Sequence, residues 1–379
     1  MSLQQPVNVG IVGAGLMGRE VATAIARWSA LVDYPIRPRL VAVCDVDSHA
    51  LNFFDQFDTV RTRVTDYRDL LADAGVDVVY VAVRHDLHEQ IYADTIRAGK
   101  DLFAEKPFGI DLAAAVRILE ALRNHPRIFA RCSSEMPFFP GAQYIVRSVL
   151  AGEFGPLIEA TCGFSHSSDF DRSKPITWKR QRRYCGDAGV MNDLGMHVAH
   201  LPLRFGWTPA TVFGVLQNLV PIRPDANGVM VECDTYENAT LMCNVKVGAG
   251  PDFPLMLSMK RIDPGQKNSW TFRVSGLEGA AEFSTRYPKT VRRMDVYRGE
   301  QVWSEIEMGS QSVFPTVTGP IFEAGFSDVV LQMWAAYLAE RAGVLGDRFG
   351  CVTPAEAAES HRIWDAAMRS ASSGRAEAP

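Results

Sequence analysis

The sequence predicts an α/β fold built as two domains. Through residues 1–131, strand-like and helix-like segments alternate, which indicates repeated βαβ units and a parallel sheet with right-handed crossovers. Residues 76–83 are almost continuously apolar and rich in β-branched side chains, as expected of a strand that is buried on both faces. Beyond residue 132, strand-like segments dominate. We therefore expect one domain over residues 1–131 and, over residues 132–379, an α+β domain with a large, mainly antiparallel sheet.

The elements of the first domain follow from apolar spacing and from helix-end signals. Val21, Ile25 and Trp28 recur at helical spacing. A later helix is expected to stop at Gly99, a C-cap signal, and another to begin at Asp111, a good N-cap residue. The predicted strands are residues 7–12, 40–44, 76–83, 101–104 and 127–132. The predicted helices are residues 18–29, 85–98 and 111–124.

The second domain is expected to follow a break at residues 137–141, which contain two prolines and a glycine. Its strand-like segments are joined by Gly, Pro, Asn and Asp, which favour hairpin turns. The predicted strands are residues 157–164, 211–219, 232–246, 255–260, 270–275, 279–284 and 293–297. The predicted helices are residues 143–151, 321–342 and 354–372.

Composition and charge narrow the range of functions. Of the 379 residues, 47% are hydrophobic and 22% are charged, as in an ordinary globular protein. The net charge of -5 argues against a nucleic-acid or membrane-surface binder, because both classes bind through a basic face. No apolar run approaches the roughly 18 residues that span a bilayer. We therefore expect neither a nucleic-acid partner nor a membrane partner.

The cysteines indicate the redox compartment. All seven are spread singly along the chain, with no C-x-x-C pair. Such spacing favours free thiols in a reducing compartment over a disulfide framework. The first residues also lack the basic start and the small-residue cleavage site of a secretory signal. We expect a cytoplasmic protein whose thiols are mostly buried.

A glycine-rich turn lies between the first predicted strand and the first helix. Gly13, Gly15 and Gly18 form a G-x-G-x-x-G motif with Leu16 and Met17 between the last two glycines. In this context the first glycine makes a tight turn, the second lets the backbone approach a pyrophosphate, and the third allows close helix–strand packing. The alternative is a turn with a packing role only. The motif predicts that these five residues bind a dinucleotide at the helix N-terminus.

Asp45 ends the second predicted strand. A carboxylate at this position accepts the ribose hydroxyls of NAD and repels the 2′-phosphate of NADP, so NAD is the expected cofactor and NADP the less favoured one. Asp45 lies 27 residues past Gly18, more than the usual interval of about 20. The intervening loop contains Arg37 and Arg39, which would bind a 2′-phosphate if the loop folded over the site.

The tripeptide Glu105-Lys106-Pro107 follows another predicted strand. In isolation it is most simply interpreted as a surface turn. Next to a dinucleotide turn, however, a lysine at the carboxyl end of a strand faces the crevice in which open α/β sheets bind their ligands. Lys106 is therefore a candidate catalytic residue.

Asp193 and His197 form a second candidate pair. They are four residues apart, so they share a face if the segment is helical. A histidine held by a carboxylate is a competent general base, and alcohol oxidation needs one to take the hydroxyl proton. A satisfied core histidine is the structural alternative. With His200 the pair could also ligate a metal, but the sequence offers no convincing fourth ligand and we predict none.

A basic cluster precedes this segment. Arg180, Arg182 and Arg183 follow Lys174 and Lys179. Two interpretations stay open: a solvated loop, or a site for a substrate that bears a carboxylate or a phosphate.

Together these motifs resemble the glucose-fructose oxidoreductase / inositol dehydrogenase / MocA family, strongly over residues 7–110 and 178–200 and diffusely through the later strands. The resemblance implies a Rossmann domain and a C-terminal domain whose open sheet forms one wall of the active site and often the oligomer interface. It also implies hydride transfer between NAD(P) and a carbon of a sugar, a polyol or a related cyclic compound. A homodimer or homotetramer is expected on the same ground.

The resemblance also implies roles for individual residues. Lys106 would polarise the reacting hydroxyl, His197 would accept its proton, and Asp193 would orient His197 or bind substrate. Glu105 would reach the nicotinamide ribose. The other implied cofactor contacts are Val83, Arg84, His88, Lys106, Trp178 and Arg180.

The sequence departs from the family's pattern at several positions. Arg84 stands where a proline is common. Glu135 and Pro137 stand where the family often has asparagine and arginine, and His200 stands where aspartate is common. These changes fall near the expected pocket, so we infer no particular substrate from the resemblance.

Three functions stay open at this point. In a dehydrogenase, His197 takes the hydroxyl proton, Lys106 stabilises the developing alkoxide and hydride passes to the nicotinamide. The same site would also suit redox-neutral glycoside cleavage or epimerisation, in which NAD is reduced only transiently. A non-catalytic NAD-binding regulator is the third, and it is disfavoured because both candidate catalytic side chains are present.

Overall fold

A computed structural model describes residues 6–246 and 250–379. The chain forms two compact units: Met1–Phe138 with Ser310–Ala357, and Phe139–Gly309 with Ala358–Pro379. The predicted division at residues 131/132 differs from these units mainly in one segment. Residues 310–357, which we had assigned to the second domain, belong to the first unit.

The first unit contains the predicted parallel sheet. Its elements up to residue 132 are β1 (Val7–Val12), α1 (Leu16–Ala26), β2 (Pro38–Cys44), β3 (Thr62–Val64), α2 (Tyr67–Ala72), β4 (Val78–Val81), α3 (His88–Arg97), β5 (Asp101–Ala104), α4 (Leu112–Asn124) and β6 (Ala130–Cys132). The strand order is β3-β2-β1-β4-β5-β6, and every neighbouring pair is parallel. The predicted α/β domain is confirmed. β3 and α2 escaped prediction because three and six residues are too few to show a periodicity.

The strand order also places the ligand-binding edge of this sheet. All four residues of β4 are buried, in keeping with their β-branched and aromatic composition. The chain fills the sheet on one side of β1 and then crosses to β4 on the other. Such sheets bind ligands outside the carboxyl ends of the strands at this switch point.

The second unit contains a large open sheet. Its elements are α5 (Pro140–Leu150), β7 (Leu157–Ser165), α6 (Arg182–Cys185), α7 (Val190–Arg204), β8 (Pro209–Gln217), β9 (Ile222–Pro224), β10 (Met230–Glu232), β11 (Asn238–Val245), β12 (Phe253–Lys260), β13 (Ser269–Gly276), β14 (Ala280–Ser284), β15 (Thr290–Tyr297) and β16 (Glu300–Glu307). Eight strands follow the order β16-β15-β14-β13-β7-β12-β11-β8. Only the pair β7–β12 is parallel among them, so the predicted mainly antiparallel sheet is confirmed.

Two helices close the chain, α8 (Phe326–Arg341) and α9 (Pro354–Ser373). Every residue of α8 from Val329 to Ala339 is buried. The ring of Trp334 lies 5.0 Å from that of Phe103 and 5.8 Å from that of Tyr80. α8 therefore covers the β4–β5 part of the parallel sheet, which explains why residues 310–357 belong to the first unit.

Two further expectations concern membrane-spanning segments and the cysteines. Within residues 6–246 and 250–379, no helix has both the length and the apolar character that crossing a membrane demands. The seven cysteines are all buried and free, as the sequence predicted. Burial raises the pKa of the Cys185 thiol to about 12, so this thiol is protonated at neutral pH.

Candidate active site

The turn between β1 and α1 requires glycine at two positions. Gly13 adopts a φ of +106°, and a Cβ there would lie 2.1 Å from the carbonyl oxygen of Ala82. A Cβ on Gly18 would lie 1.9 Å from the carbonyl oxygen of Gly13. Both contacts are with backbone atoms, which cannot move aside. Gly13 and Gly18 are thus required to bring β1, α1 and the end of β4 together.

Gly15 lacks this packing role. A Cβ at this position would meet no atom of the described residues within 4 Å. Gly15 is the N-cap of α1 and makes no side-chain cap, while the next residue, Leu16, is 73% exposed. The turn therefore leaves open space beside the first amides of α1, where an anionic group can approach the backbone.

Asp45 is bound to this turn. One carboxylate oxygen accepts from the Ala14 amide at 2.7 Å and the other accepts from the Asp47 amide at 2.9 Å. The side chain is only partly buried. Two amide donors fix the direction of the carboxylate at the carboxyl end of β2.

The predicted alternative for a 2′-phosphate does not fit the structure. Arg39 pairs in register with Asn8, and its Nε lies 3.0 Å from Asn8 Oδ1. Arg39 stands near the amino end of β2, six residues before Asp45, or roughly 20 Å along an extended strand. Arg37 precedes it, and its carbonyl accepts from the Val7 amide. The loop that carries these arginines therefore lies at the opposite end of β2 from Asp45.

His88, an implied cofactor contact, lies between two backbone carbonyl groups. Its ring is fully buried, with Nδ1 2.7 Å from the Pro107 carbonyl oxygen and Nε2 3.1 Å from that of Val83. Burial, the largest influence, lowers the pKa of His88. His88 thus braces the segment after β4 against the turn at Pro107. Arg84, on the same segment, makes a two-point contact with Asp86 at 3.1 and 3.0 Å.

Glu105 is also held within the protein. Its Oε1 accepts from the Tyr80 hydroxyl at 2.5 Å and from the Ser133 hydroxyl at 2.6 Å, and its side chain is buried. Glu105 thus fixes the end of β5, and its contact with the nicotinamide ribose stays a prediction. Lys106, the next residue, is half-buried and begins a cis peptide bond with Pro107.

In the second unit, Asp193 lies between two cations. Lys179 Nζ is 2.6 Å from Asp193 Oδ1, and the Arg261 guanidinium donates to Oδ2. Arg261 also reaches Asp169 Oδ2 at 2.8 Å, and Lys174 lies 3.0 Å from Asp169 Oδ1. Opposite charges therefore alternate along five side chains. The middle three are buried, and the lysines at the two ends are about one-third exposed.

These charges control the ionisation of their neighbours. Burial disfavours the Asp169 carboxylate, but Arg261 and Lys174 outweigh this effect and hold the Asp169 pKa well below its usual range. Burial, then Arg261, lowers the pKa of His166 to about 4. His166 is therefore neutral near pH 7, and Asp169 is a carboxylate.

His197 lies one helical turn from Asp193 on α7, as predicted. Its ring packs edge-on against Phe164 with a centroid distance of 5.2 Å, and its carbonyl accepts from the Trp270 indole at 2.8 Å. Gly195 lies between Asp193 and His197 on α7 and must be glycine, because a Cβ there would lie 2.4 Å from the ring of Trp364.

The third residue considered as a metal ligand, His200, is fully buried. The part of the chain that the structure describes brings together no three His, Cys, Asp or Glu side chains as a metal site.

Arg180, another implied cofactor contact, is buried. Its side chain is 1% exposed and forms an ion pair with Glu237 at 2.7 Å. It also donates to the Thr235 carbonyl at 2.8 Å and to Asn218 Oδ1 at 3.1 Å. Arg180 thus joins the 3₁₀ turn at Trp178–Arg180 to the segments that follow β8 and precede β11. Trp178, the other predicted contact in this turn, lies partly exposed with Lys179 Nζ 5.6 Å from its ring centre.

Neither Arg261 nor Asp169 was among the predicted site residues. Arg261 follows the last residue of β12, and Asp169 lies in the loop after β7. A charged residue directly after a strongly alternating strand was the available signal for Arg261. Nothing local indicates that the two residues meet, because they are 92 positions apart.

Comparison with known proteins agrees with this architecture. Residues 7–131 match a family described as an oxidoreductase family with an NAD-binding Rossmann fold. Levoglucosan dehydrogenase from Pseudarthrobacter phenanthrenivorans is 23% identical over 304 residues, 74% of each chain. Inositol 2-dehydrogenase from Acidothermus cellulolyticus is 32% identical over 160 residues, 42% of this chain and 45% of the relative.

Solved structures share the fold over nearly the whole chain. The complex of levoglucosan dehydrogenase with NADH superimposes with a TM-score of 0.87 at 20% identity and covers 99% of both chains. The family match, in turn, spans the six strands of the parallel sheet almost to the end of β6. Over residues 7–131 the chain is thus similar to the glucose-fructose oxidoreductase / inositol dehydrogenase / MocA family of NAD-binding oxidoreductases.

Proposed function

We propose that the protein is an NAD-dependent dehydrogenase of a cyclic sugar or polyol. The observation that carries the proposal is the position of Lys106. It follows β5, and the glycine turn follows β1, in one parallel sheet. Because parallel strands present their carboxyl ends at one edge, the lysine and the dinucleotide turn face the same crevice.

The residues of the first unit fit the cofactor. The space beside Gly15 and the first amides of α1, at Leu16 and Met17, suits a pyrophosphate. Asp45 suits the adenosine ribose and disfavours a 2′-phosphate. When bound, NAD supplies the hydride acceptor. Arg37 and Arg39 lie at the other end of β2, and this position supports NAD over NADP.

The relatives support the substrate class. Two of them are named for dehydrogenation of levoglucosan and of inositol, both of which are cyclic compounds with several hydroxyls. We assign Lys106 to the oxygen of the reacting hydroxyl, where an ammonium stabilises developing alkoxide charge. His197 takes the hydroxyl proton as the hydride leaves the same carbon.

Asp193 has a positioning role in this proposal. Its two oxygens are already bound by Lys179 and Arg261, so we assign the proton transfer to His197. A carboxylate held in this way keeps a fixed place on α7, from which it can receive a hydrogen bond from a substrate hydroxyl or orient His197.

We also propose that the large sheet joins copies of the chain. Val215 on the edge strand β8 and Met242 on its neighbour β11 are 52% and 53% exposed. Apolar side chains on an exposed sheet face favour association. A mass by light scattering equal to one chain, across micromolar concentrations, would contradict this assembly.

A substrate screen tests the function. Sugars, inositols, sugar acids and lactones are incubated with NAD and with NADP, and NADH absorbance is followed. We expect accumulation of NADH with at least one cyclic polyol and a preference for NAD. Substrate turnover without net NADH would point to a redox-neutral cycle, and NAD binding without any turnover would point to a regulator.

Lys106→Ala tests the mechanism. We expect turnover to fall by about 10²–10⁴-fold, the scale of a lost acid–base or electrostatic contribution. NADH affinity, measured by fluorescence titration, should stay within about twofold, because the glycine turn and Asp45 are untouched. Lys267→Ala, at an exposed lysine, is the matched control. Unchanged turnover in Lys106→Ala removes Lys106 from the mechanism.

A further inference from the structure

Arg19 is an exposed cation beside the glycine turn, and the proposed mechanism gives it no role. It lies one turn into α1. We propose that Arg19 binds the 2′-phosphate of NADP and so gives the protein an affinity for NADP beside its preference for NAD. This role rests on the proposed function, because the 2′-phosphate belongs to the cofactor of that site.

One residue of the glycine turn holds both Asp45 and Arg19. The Ala14 amide donates to Asp45 Oδ2 at 2.7 Å, and the Ala14 carbonyl oxygen accepts from Arg19 Nε at 3.0 Å. Three bonds separate the amide nitrogen of a residue from its carbonyl oxygen, and they span about 4 Å at most. Arg19 Nε therefore lies within roughly 10 Å of the carboxylate that we propose faces the adenosine ribose.

The Arg19 guanidinium is held on a second side by an aromatic ring. Its central carbon lies 5.1 Å from the ring centre of Phe53, which belongs to the 3₁₀ segment Ser48–Gln56 after β2. An exposed arginine loses much rotamer freedom when it is ordered, but here a hydrogen bond at Nε and the ring of Phe53 already fix the guanidinium. Arg19 thus joins the start of α1 to the crossover that begins at Asp45.

The charge of Arg19 is not neutralised by a neighbouring acid. Its Nε donates to a backbone carbonyl, and within residues 6–246 and 250–379 its two terminal nitrogens form neither a hydrogen bond nor an ion pair. These nitrogens form a planar fork that matches the oxygens of a phosphate. The fork is therefore available to an anionic ligand at this edge of the turn.

The position of Phe53 favours the ribose end of the cofactor over the pyrophosphate. The space proposed for the pyrophosphate lies beside Gly15, within the turn itself. Phe53 instead follows Asp45 by eight residues in the crossover from β2 to β3. The ring of Phe53 thus places the Arg19 charge toward the crossover that begins at Asp45, the residue proposed to bind the adenosine ribose.

Arg19 and Asp45 then act on a 2′-phosphate in opposite senses. The carboxylate repels it and the guanidinium attracts it. In the proposed site Asp45 contacts the ribose hydroxyls directly, so its repulsion is the stronger effect and NAD stays preferred. The cation beside it means that NADP is disfavoured and not excluded. Removal of Arg19 should therefore lower the affinity for NADP and leave the affinity for NAD almost unchanged.

Two nucleotides test this role without turnover, adenosine 2′,5′-bisphosphate and AMP, which differ only in the 2′-phosphate. Dissociation constants are measured by calorimetry with the full-length protein. We expect Arg19→Met to weaken binding of the bisphosphate by about tenfold or more and that of AMP by less than about twofold. Arg19→Lys, which keeps the charge without the planar fork, should lie between Arg19→Met and the wild type. Arg123→Met, at an exposed arginine near the end of α4, is the matched control and should bind both nucleotides like the wild type.

Asp45→Ser repeats the comparison in a site that no longer repels a 2′-phosphate, so that the bisphosphate binds more tightly. Asp45→Ser/Arg19→Met should bind the bisphosphate at least about tenfold more weakly than Asp45→Ser. Equal losses for AMP and the bisphosphate would place Arg19 at a part that both cofactors share and would overturn its role, as would unchanged affinities for both. If the wild type binds neither AMP nor NADH, the proposed cofactor site fails, and the role of Arg19 fails with it.

Discussion

Lys179 and Asp193 form an ion pair, with Nζ 2.6 Å from Oδ1. One partner lies on the 3₁₀ turn at Trp178–Arg180 and the other on α7, so the pair fixes the turn against the helix that carries His197. The Asp193 side chain is 3% exposed, whereas that of Lys179 is 33% exposed. Two cations therefore hold Asp193, a partly exposed lysine at one oxygen and the buried Arg261 at the other.

This relationship makes Lys179→Met a test of the positioning role of Asp193. We expect kcat to fall by about tenfold, because Asp193 keeps Arg261 but loses the donor that holds its other oxygen. NADH affinity should not change. Lys174→Met, at the other lysine of the charge chain, is the matched control and should lower kcat by less than about threefold. Equal losses in both variants would instead indicate a general effect of the positive charge on substrate binding.

The glycine turn gives a prediction that separates packing from binding. Gly18→Ala forces a Cβ against the Gly13 carbonyl oxygen and should lower the urea midpoint of the first unit clearly. Gly15→Ala meets no neighbour and should leave the midpoint within error, since its φ of -73° suits alanine. Its NADH affinity should nevertheless fall by about tenfold or more, because the methyl group occupies the space proposed for the pyrophosphate.

A Gly15→Ala variant with wild-type NADH affinity would argue that the cofactor does not approach this part of the turn. A Gly18→Ala variant with wild-type stability would argue that α1 can move away from β1. Fluorescence titration and denaturation separate the two effects.

The buried pair Arg180–Glu237 predicts a loss of stability without a loss of cofactor affinity. Arg180→Met leaves the Glu237 carboxylate without its cation at a fully buried position, which typically costs about 3–5 kcal/mol. In Arg180→Met/Glu237→Gln the uncompensated charge is gone, and the amide oxygen can still accept from the Leu219 amide. The double variant should therefore be more stable than Arg180→Met, as measured by urea denaturation.

NADH titration of folded Arg180→Met provides the contrast with the sequence-based interpretation. A wild-type dissociation constant is expected, because Arg180 is enclosed by protein groups. A loss of NADH affinity of tenfold or more, in a variant shown to be folded, would support Arg180 as a cofactor contact.

The parallel sheet, the glycine turn and the shared face of Asp193 and His197 were predictable because each depends on short-range patterns. Strand alternation, glycine spacing and a four-residue interval are all contained within a few consecutive residues. Lys106 became a candidate catalytic residue in the same way, because the segment Glu105-Lys106-Pro107 follows a predicted strand.

The partners of charged side chains were not predictable. A lone arginine in a loop gives no sign that Arg180 pairs with Glu237, 57 positions later. The bonds of His88 to Pro107 and of Glu105 to Tyr80 and Ser133 likewise join segments that are far apart in the sequence. Likewise, the all-round apolar character of α8 gave no indication of which sheet it covers.

Asp45 provides the last prediction, which concerns the choice between NAD and NADP. Asp45→Ser removes the negative charge that we propose faces the adenosine ribose, and it weakens the hold on the Ala14 amide. NADH affinity should fall by about tenfold, and the ratio of NADPH to NADH affinity should rise by at least as much, because a 2′-phosphate is no longer repelled. Asp47→Ser is the matched control, since Asp47 caps the following 3₁₀ turn through the His49 amide and serine caps equally well. If Asp47→Ser shifts the cofactor ratio as far as Asp45→Ser does, the selectivity comes from the summed charge of this loop and not from a carboxylate directed at the ribose.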